Sequence, residues 1–247
     1  MKIDFKNKTV LITGGSKGIG AEIAKHFNDR SAKVIVTCTN TNNIDGLDSK
    51  GLKNNINYLS LDLSSQESIK SFISTINKEF SIDILINNAG VNRIDEITSL
   101  REKDWDWINN INLRGPYLLT KAVAKKMIVK KYGHIINIAS IFGVVSKTKR
   151  AAYSASKWGL VGLTKAVALD LAKYNIMVNA VSPGFVNTEL TKKILSDKEI
   201  KELTEIIPIK RFASPEEIAK TVLFLSSNYN KYISGQNIII DGGYTCV

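Results

Sequence analysis

The sequence predicts one doubly wound α/β domain spanning 1–247, a parallel sheet of about seven strands with helices on both faces. Three observations lead there. Short apolar runs of strand length alternate with longer segments whose apolar residues recur at helical spacing, the pattern of parallel strands joined by right-handed crossovers. The first run leads directly into a glycine-rich loop and then a helix. No Pro/Gly/Ser-rich linker, internal repeat or low-complexity tract asks for a second domain in 247 residues.

Thr9-Val-Leu-Ile-Thr13 reads as the first, buried strand, and Ala21 to Phe27 as the first helix. Between them lie Gly14, Ser16, Lys17, Gly18, Ile19 and Gly20, spaced Gly-x3-Gly-x-Gly. In this context the glycines allow a tight turn and close backbone approach, and the helix amino end faces a phosphate, so the loop reads as a dinucleotide site. The second strand, from Lys33 to Thr37, ends Thr37-Cys38-Thr39-Asn40 with no acid before Asp45. An acidic residue at that place takes the ribose hydroxyls of NAD; its absence removes a repulsion against a 2′-phosphate, and Lys17 offers a cation, which favours NADP(H). The third strand runs from Ile56 to Leu63 and brings Asp62 to its end, placed to accept from an adenine amino group. A helix from Gln66 to Phe80 follows, then a fourth strand from Ile82 to Ile86. Asn87-Asn88-Ala89-Gly90 comes next, small enough for backbone to lie against a ligand.

Asp104 to Tyr132 is helical in pattern and interrupted at Gly115-Pro116, where a kink turns either the side chain of Asn112 or a backbone carbonyl toward the site. The fifth strand, His134 to Ala139, places Ser140 at a carboxyl end, where open α/β sheets carry their ligands. A loop with a basic run, Lys147 to Arg150, precedes a helix bearing Tyr153 and Lys157. Four apart, these two share a helix face, so the ammonium is expected to bring the phenol down from its usual pKa of about 10. Such a tyrosine can act as acid or base while Ser140 holds a carbonyl oxygen. Leu160, Val167 and Leu171 form a stripe that is core or subunit interface. The sixth strand, Met177 to Val181, runs on through Pro183, Gly184, Val186 and Thr188. A charged, helix-prone segment at 189–212 is read as a substrate lid. Ser214 caps a helix from Pro215, and a last strand, Gln236 to Asp241, closes on Gly242-Gly243.

The net charge of +11 comes from lysines scattered among asparagines, with short clusters at Lys125-Lys126, Lys130-Lys131, Lys147 to Arg150 and Lys192-Lys193. No aromatic-interleaved basic ribbon accompanies them, so no nucleic-acid binding is expected. No apolar run approaches the ~20 residues of a membrane helix, and the first nine residues lack a signal-peptide core, so a cytoplasmic location is expected. Two cysteines, Cys38 and Cys246, and two histidines, His26 and His134, suit neither a disulfide framework nor a metal site.

Thr13-Gly14-x3-Gly18-x-Gly20, Asn87-Asn88-Ala89-Gly90, Asn112, Ser140, Tyr153-x3-Lys157, Pro183-Gly184 and Asp241-Gly242-Gly243 occur in order at fitting intervals. In these the chain resembles the short-chain dehydrogenases/reductases, Rossmann-type NADP-binding proteins, over essentially its whole length. It is most similar to the β-ketoacyl-(acyl-carrier-protein) reductases around Lys17, from Thr37 to Asn40, and from Val178 to Thr188. The resemblance implies an NADP(H)-dependent oxidoreductase interconverting a ketone and a secondary alcohol, first of all a 3-oxoacyl-(acyl-carrier-protein). A sugar, a polyol or another small ketone is the alternative substrate, and a non-catalytic NADP-binding module a remote one. It implies Tyr153 as proton donor, Ser140 as holder of the carbonyl, and Lys157 as partner of the nicotinamide ribose and acidifier of Tyr153. Asn112 would hold a water relaying protons to Lys157. The loop from Gly14 to Gly20 would wrap the pyrophosphate, Asp62 and Asn88 would border the adenosine, and Val186 and Thr188 the carboxamide. Thr39, Leu63, Ala89, Gly90, Pro183 and Gly184 complete the implied cofactor set.

The resemblance further implies a homotetramer packed through the helices around Leu113 to Tyr132 and Tyr153 to Lys173, and an acidic acyl carrier protein as partner. Lys131 occupies one of the basic places expected near the site mouth, while Tyr174 stands where a second base is expected. Trp158 and the loop from Lys147 to Arg150 are bulkier than the small residues expected there. These departures bear on the substrate, which fold and catalytic residues do not fix.

Overall fold

Val10, Leu11 and Ile12 on strand β1 (Thr9–Ile12) are each 0% exposed, and β1 lies in the interior of the sheet. A strand covered on both faces is an unbroken apolar run, which is what the sequence shows. In this computed structural model, which describes residues 3–44, 46, 51–189, 191 and 195–246, the sheet order is β3-β4-β2-β1-β5-β6-β7-β8. The other strands are β2 (Lys33–Cys38), β3 (Leu52–Lys53), β4 (Ile56–Ser60), β5 (Ile84–Asn87), β6 (Gly133–Ile138), β7 (Ile176–Pro183) and β8 (Asn237–Ile240). Every pairing is parallel except that of β3 with β4. The expected seven parallel strands are therefore present, and β3 adds a two-residue antiparallel edge. Asn54 and Asn55 make it: both take positive φ, 52° and 63°, which suits a tight hairpin turn and was not read from the sequence.

Side chains alternate across the strands, so β1 feeds two cores. Val10 and Ile12 join Ile23 and Phe27 of α1 (Gly18–Asn28) and Ile218 and Val222 of α7 (Pro215–Leu225). Leu11 faces the other layer with Phe72 of α2 (Gln66–Glu79), Leu119 and Met127 of α4 (Gly115–Lys130) and Leu171 of α5 (Ala151–Ala172). Leu160 and Leu171 are buried, which assigns that stripe to the core.

The long helical stretch is broken as the sequence suggested, but by a different device. Helix α3 (Glu102–Asn109) passes into a π-helical turn at Asn110–Arg114, in which Gly115 N–H reaches back five residues to the Asn110 carbonyl, and α4 starts there. Within 189–212, α6 (Asp197–Ile206) starts with a capping box of Ser196 and Glu199. Leu190 and Lys192 to Ile194 lie outside the described residues, as does Asp45. Ser214 caps α7 as expected, with Glu217 completing the box. No helix among the described residues is long and apolar enough to cross a membrane.

Successive strands add on one side of β1 as far as β4, then β5 starts the other side. The loops leaving the carboxyl ends of β1 and β5 thus part in opposite directions and leave a crevice, the usual ligand position in such sheets.

Candidate active site

Helix α1 begins without a cap. Its N-cap residue, Lys17, is extended and makes no side-chain hydrogen bond, and the first turn holds no acid. Helices α2, α6 and α7 instead each have a serine, Ser65, Ser196 or Ser214, accepting from a backbone N–H three residues on. The first N–H groups of α1 are therefore left for an acceptor from outside the helix, and the dipole favours an anion. Gly14, at φ +61°, and Gly20 let the loop fold under that end: a Cβ on Gly20 would stand 2.6 Å from the Gly14 carbonyl oxygen.

Asn88 holds this loop in place. Its Nδ2 donates to the carbonyls of Thr13 and Gly14 at 2.9 and 3.0 Å, and Thr13 Oγ1 accepts from the backbone N–H groups of Asn88 and Ala89, both at 3.0 Å. The amide nitrogen of Asn88 is thereby occupied by the glycine loop, not held out for an adenosine. Ser16, Lys17 and Thr39 are exposed around the crevice. Across it, Thr188 Cγ2 would lie 3.7 Å from a Cβ on Gly18, which brings the segment after β7 over the glycine loop. An open helix end, a glycine cradle and a facing threonine suit a phosphate-bearing dinucleotide.

Ser140 follows β6, and its Oγ accepts from Phe142 N–H at 3.1 Å, which leaves its proton for the oxygen of Tyr153, with which it hydrogen-bonds. Tyr153 stands in the first turn of α5, with Phe142 edge-on at 6.3 Å between centroids. One turn on, Lys157 is 3% exposed, and its Nζ donates to the Ile138 carbonyl at 2.8 Å while lying 5.7 Å from the Tyr153 ring centroid.

The electrostatics correct one expectation. Burial pushes the Tyr153 phenol up from its ordinary pKa, and the Ser140 hydrogen bond and the nearby Arg150 cation only partly oppose this. Burial also brings Lys157 down to about 8. Tyr153 is thus not acidified here. Desolvation outweighs the neighbouring charge, and the lysine that was to supply that charge is itself buried and aimed at a carbonyl.

Asn112 is 0% exposed and clasps the loop after β5. Its Oδ1 accepts from Val91 N–H at 2.8 Å, and its Nδ2 donates to the Val91 carbonyl at 2.8 Å and to Ser156 Oγ at 3.0 Å. Ser156 in turn donates to the Tyr153 carbonyl at 2.7 Å. The side-chain amide therefore positions Val91 and α5 and is not open to a relay water. Its backbone carbonyl has lost the usual donor four residues on, because that residue is Pro116. Gly90 borders the side chains of Lys157 and Asn112: a Cβ there would lie 3.4 Å from Lys157 Nζ and 3.5 Å from Asn112 Oδ1.

Behind the site runs a buried polar chain that the sequence reading missed. Asn87 Nδ2 donates to Asn137 Oδ1 at 2.8 Å, Asn137 Nδ2 to Thr164 Oγ1 at 2.9 Å, and Thr164 Oγ1 to the Leu160 carbonyl at 2.8 Å, tying β5, β6 and α5 together. A lone asparagine inside an apolar strand, as in His134-Ile-Ile-Asn-Ile138, was the available signal.

The remaining sequence-derived residues divide. Ala89 sits at the glycine loop, 3.0 Å from where a Cβ on Gly14 would be. Pro183 ends β7, and Gly184 lies against Asp241, whose Cα would be 2.9 Å from a Cβ there. Ile19 packs on the core edge, and Val186 is buried and bridged to Ala213. Asp62 Oδ1 accepts from the N–H and the hydroxyl of Ser64, and Leu63 turns its side chain into the core toward Gly115, so a ligand would meet only the Leu63 backbone. Lys131 and Tyr174 do not flank the mouth. They precede β6 and β7 at the opposite end of the sheet from Ser140, a full strand of six residues or about 20 Å away. Trp158, 52% exposed, lies on the outer surface of α5.

A family model described as Enoyl-(Acyl carrier protein) reductase matches residues 14–245. The 3-oxoacyl-[acyl-carrier-protein] reductase FabG of Buchnera aphidicola is 40% identical over 244 residues, 98% of each chain. A gluconate 5-dehydrogenase from Burkholderia cenocepacia, solved with NADP and tartrate, superposes with a TM-score of 0.90 at 28% identity, covering 99% of this chain and 97% of that one. A 4-hydroxyisoleucine dehydrogenase mutant, solved with NADH and succinate, superposes with a TM-score of 0.91 at 35% identity, covering 97% and 99%.

Proposed function

The chain belongs to the short-chain dehydrogenase/reductase family, and from that premise we propose that it reduces a ketone to a secondary alcohol with NADPH. It is an NAD(P)-dependent oxidoreductase acting on CH–OH groups. The observation that carries the proposal is the meeting of Ser140, Tyr153 and Lys157 at the carboxyl end of β6, with Lys157 Nζ 5.7 Å from the Tyr153 ring centroid and the phenol pushed up by burial.

When bound, the reduced nicotinamide supplies the hydride. The open end of α1 and the loop from Gly14 to Gly20 hold the phosphates, and Gly90 leaves room beside Lys157. Ser140 donates to the carbonyl oxygen and fixes its position. As negative charge builds on that oxygen, Tyr153 releases its proton to it, and the Lys157 ammonium stabilises the resulting phenolate. NADP(H) rather than NAD(H) is supported by Lys17 at the loop and by a β2 end, Thr37 to Asn40, without a carboxylate.

The relatives support 3-oxoacyl-(acyl-carrier-protein) as substrate, with an acidic carrier protein as partner. A second reading, a small free ketone, sugar or polyol derivative, is favoured by two features of this chain. Lys131 and Tyr174 lie away from its own site, and a cationic loop, Lys147 to Arg150, lies beside Tyr153. Two structural neighbours were solved with small carboxylates. Val129 and Leu169, 84% and 81% exposed on α4 and α5, support the expected homotetramer through those helices.

NADPH consumption with a 3-oxoacyl carrier-protein thioester, beside NADH and a panel of free ketones and sugars, tests the proposal. NADPH-dependent turnover of any ketone supports the reaction, and the fastest substrate decides between the two readings. No turnover of any ketone by protein that binds NADPH overturns it.

A further inference from the structure

Arg150 immediately precedes α5, and its guanidinium is turned inward. Its Nε and Nη1 are buried with no hydrogen-bond partner, and its Cζ lies 5.9 Å from the centroid of the Phe142 ring. Phe142 is the ring set edge-on to Tyr153, and the Arg150 charge acts on the Tyr153 phenol, so the cation borders the catalytic group. The residue as a whole is only half-buried.

Of the other cations of this loop, Lys149 pairs with Glu96 at 3.3 Å, and the Lys147 charge acts on Glu199 of α6. Arg150 makes no ion pair among the described residues, and the first turn of α5 carries neither a side-chain cap nor an acid. A guanidinium that is half desolvated and not neutralised by its own chain is costly to keep, and strengthens its pairing with any carboxylate that reaches it. Its planar fork suits that group better than an ammonium does. A neutral acyl thioester offers it nothing of the kind.

We propose that Arg150 binds a free carboxylate on the substrate, which makes the substrate a short oxo acid whose ketone lies between Ser140 and Tyr153. In the reaction the carbonyl carbon gains the hydride, its oxygen gains the Tyr153 proton, the nicotinamide is oxidised, and the carboxylate is unchanged. The proposal rests on the redox roles of Ser140, Tyr153 and Lys157 and on the second of the two substrate readings.

The test uses 3-oxobutanoate, 4-oxopentanoate and 5-oxohexanoate, each beside its ethyl ester, which keeps the ketone and removes the charge. NADPH turnover is measured for wild type, Arg150→Gln and Arg150→Lys. The expected result is preference for the acid over the ester in at least one pair. Arg150→Gln raises KM for that acid by roughly tenfold or more with kcat little changed, Arg150→Lys restores part of the loss, and the ester is indifferent to both. Turnover of esters but of no acid overturns the proposal. So does an equal loss of kcat for acid and ester with a shifted pH profile, which would mean that Arg150 acts through Tyr153. If nothing turns over, the redox reading fails by itself, and quenching of bound NADPH fluorescence by the acids decides on Arg150. Quenching weakened in Arg150→Gln upholds carboxylate binding, and quenching equal in both, or none, overturns it.

Discussion

Lys157 is hydrogen-bonded to the carbonyl of Ile138, two residues before Ser140, and so ties α5 to the end of the strand that leads into that serine. The lysine proposed to stabilise the phenolate is also a clamp between strand and helix, and burial makes its charge expensive in the absence of ligand.

That cost has a definite sign. A lysine held at about 8 in the folded chain and near its ordinary 10.5 when unfolded binds more protons unfolded between those values, so stability rises with pH across that window. Below pH 8 the full penalty applies. Lys157→Met is expected to remove the dependence: its stability advantage over wild type should shrink by about 2 kcal/mol between pH 7 and pH 10. Urea unfolding of the ligand-free protein at several pH values measures this, and parallel curves for the two proteins would refute it.

Tyr153→Phe should bind NADPH within about twofold of wild type and lose roughly a thousandfold in turnover, the general-acid contribution. In the wild type, kcat/KM for reduction should fall as pH rises through about 8, because Lys157 loses its charge there while Tyr153, pushed upward, keeps its proton. A limb first falling near pH 6 would point to a different group.

Two glycines separate folding from cofactor binding. Alanine at Gly90 would make only ordinary contacts, 3.4 and 3.5 Å to Lys157 and Asn112, so the variant should fold normally and lose roughly tenfold or more in NADPH affinity by filling the cofactor space. Alanine at Gly20 would crowd the Gly14 carbonyl at 2.6 Å, and should lower stability by about 1–3 kcal/mol. Fluorescence titration and thermal melts of both variants check the pair; normal NADPH affinity in Gly90→Ala would remove that residue from the cofactor site.

Lys17→Ala should raise KM for NADPH by about tenfold and leave KM for NADH unchanged, because only the 2′-phosphate distinguishes the two. Equal effects on both would place the lysine at the shared pyrophosphate instead.

Much of this site was legible because its parts are local. A glycine loop between a strand and a helix, a serine at a strand end and a Tyr/Lys pair one turn apart each depend on a few neighbouring residues. What escaped depends on distant contacts. The roles of Asn112 and Asn88 as braces follow from Val91 and Thr13, far away in sequence, and the π-turn shows only as a five-residue hydrogen bond ahead of Pro116. The protonated state of Tyr153 follows from burial, which no spacing reveals. The misplacement of Lys131 was avoidable: a residue just before β6 lies at the opposite end of that strand from one just after it.

The uncapped start of α1 has a consequence for the life of the protein. A helix whose missing cap is a nucleotide is fully closed only while that nucleotide is present, and ligand at a hundred times its dissociation constant adds about 2.7 kcal/mol to the folded state. Resistance to heat and proteolysis should then follow the concentration of the nucleotide in either redox form, because the phosphates that would close the helix are common to both.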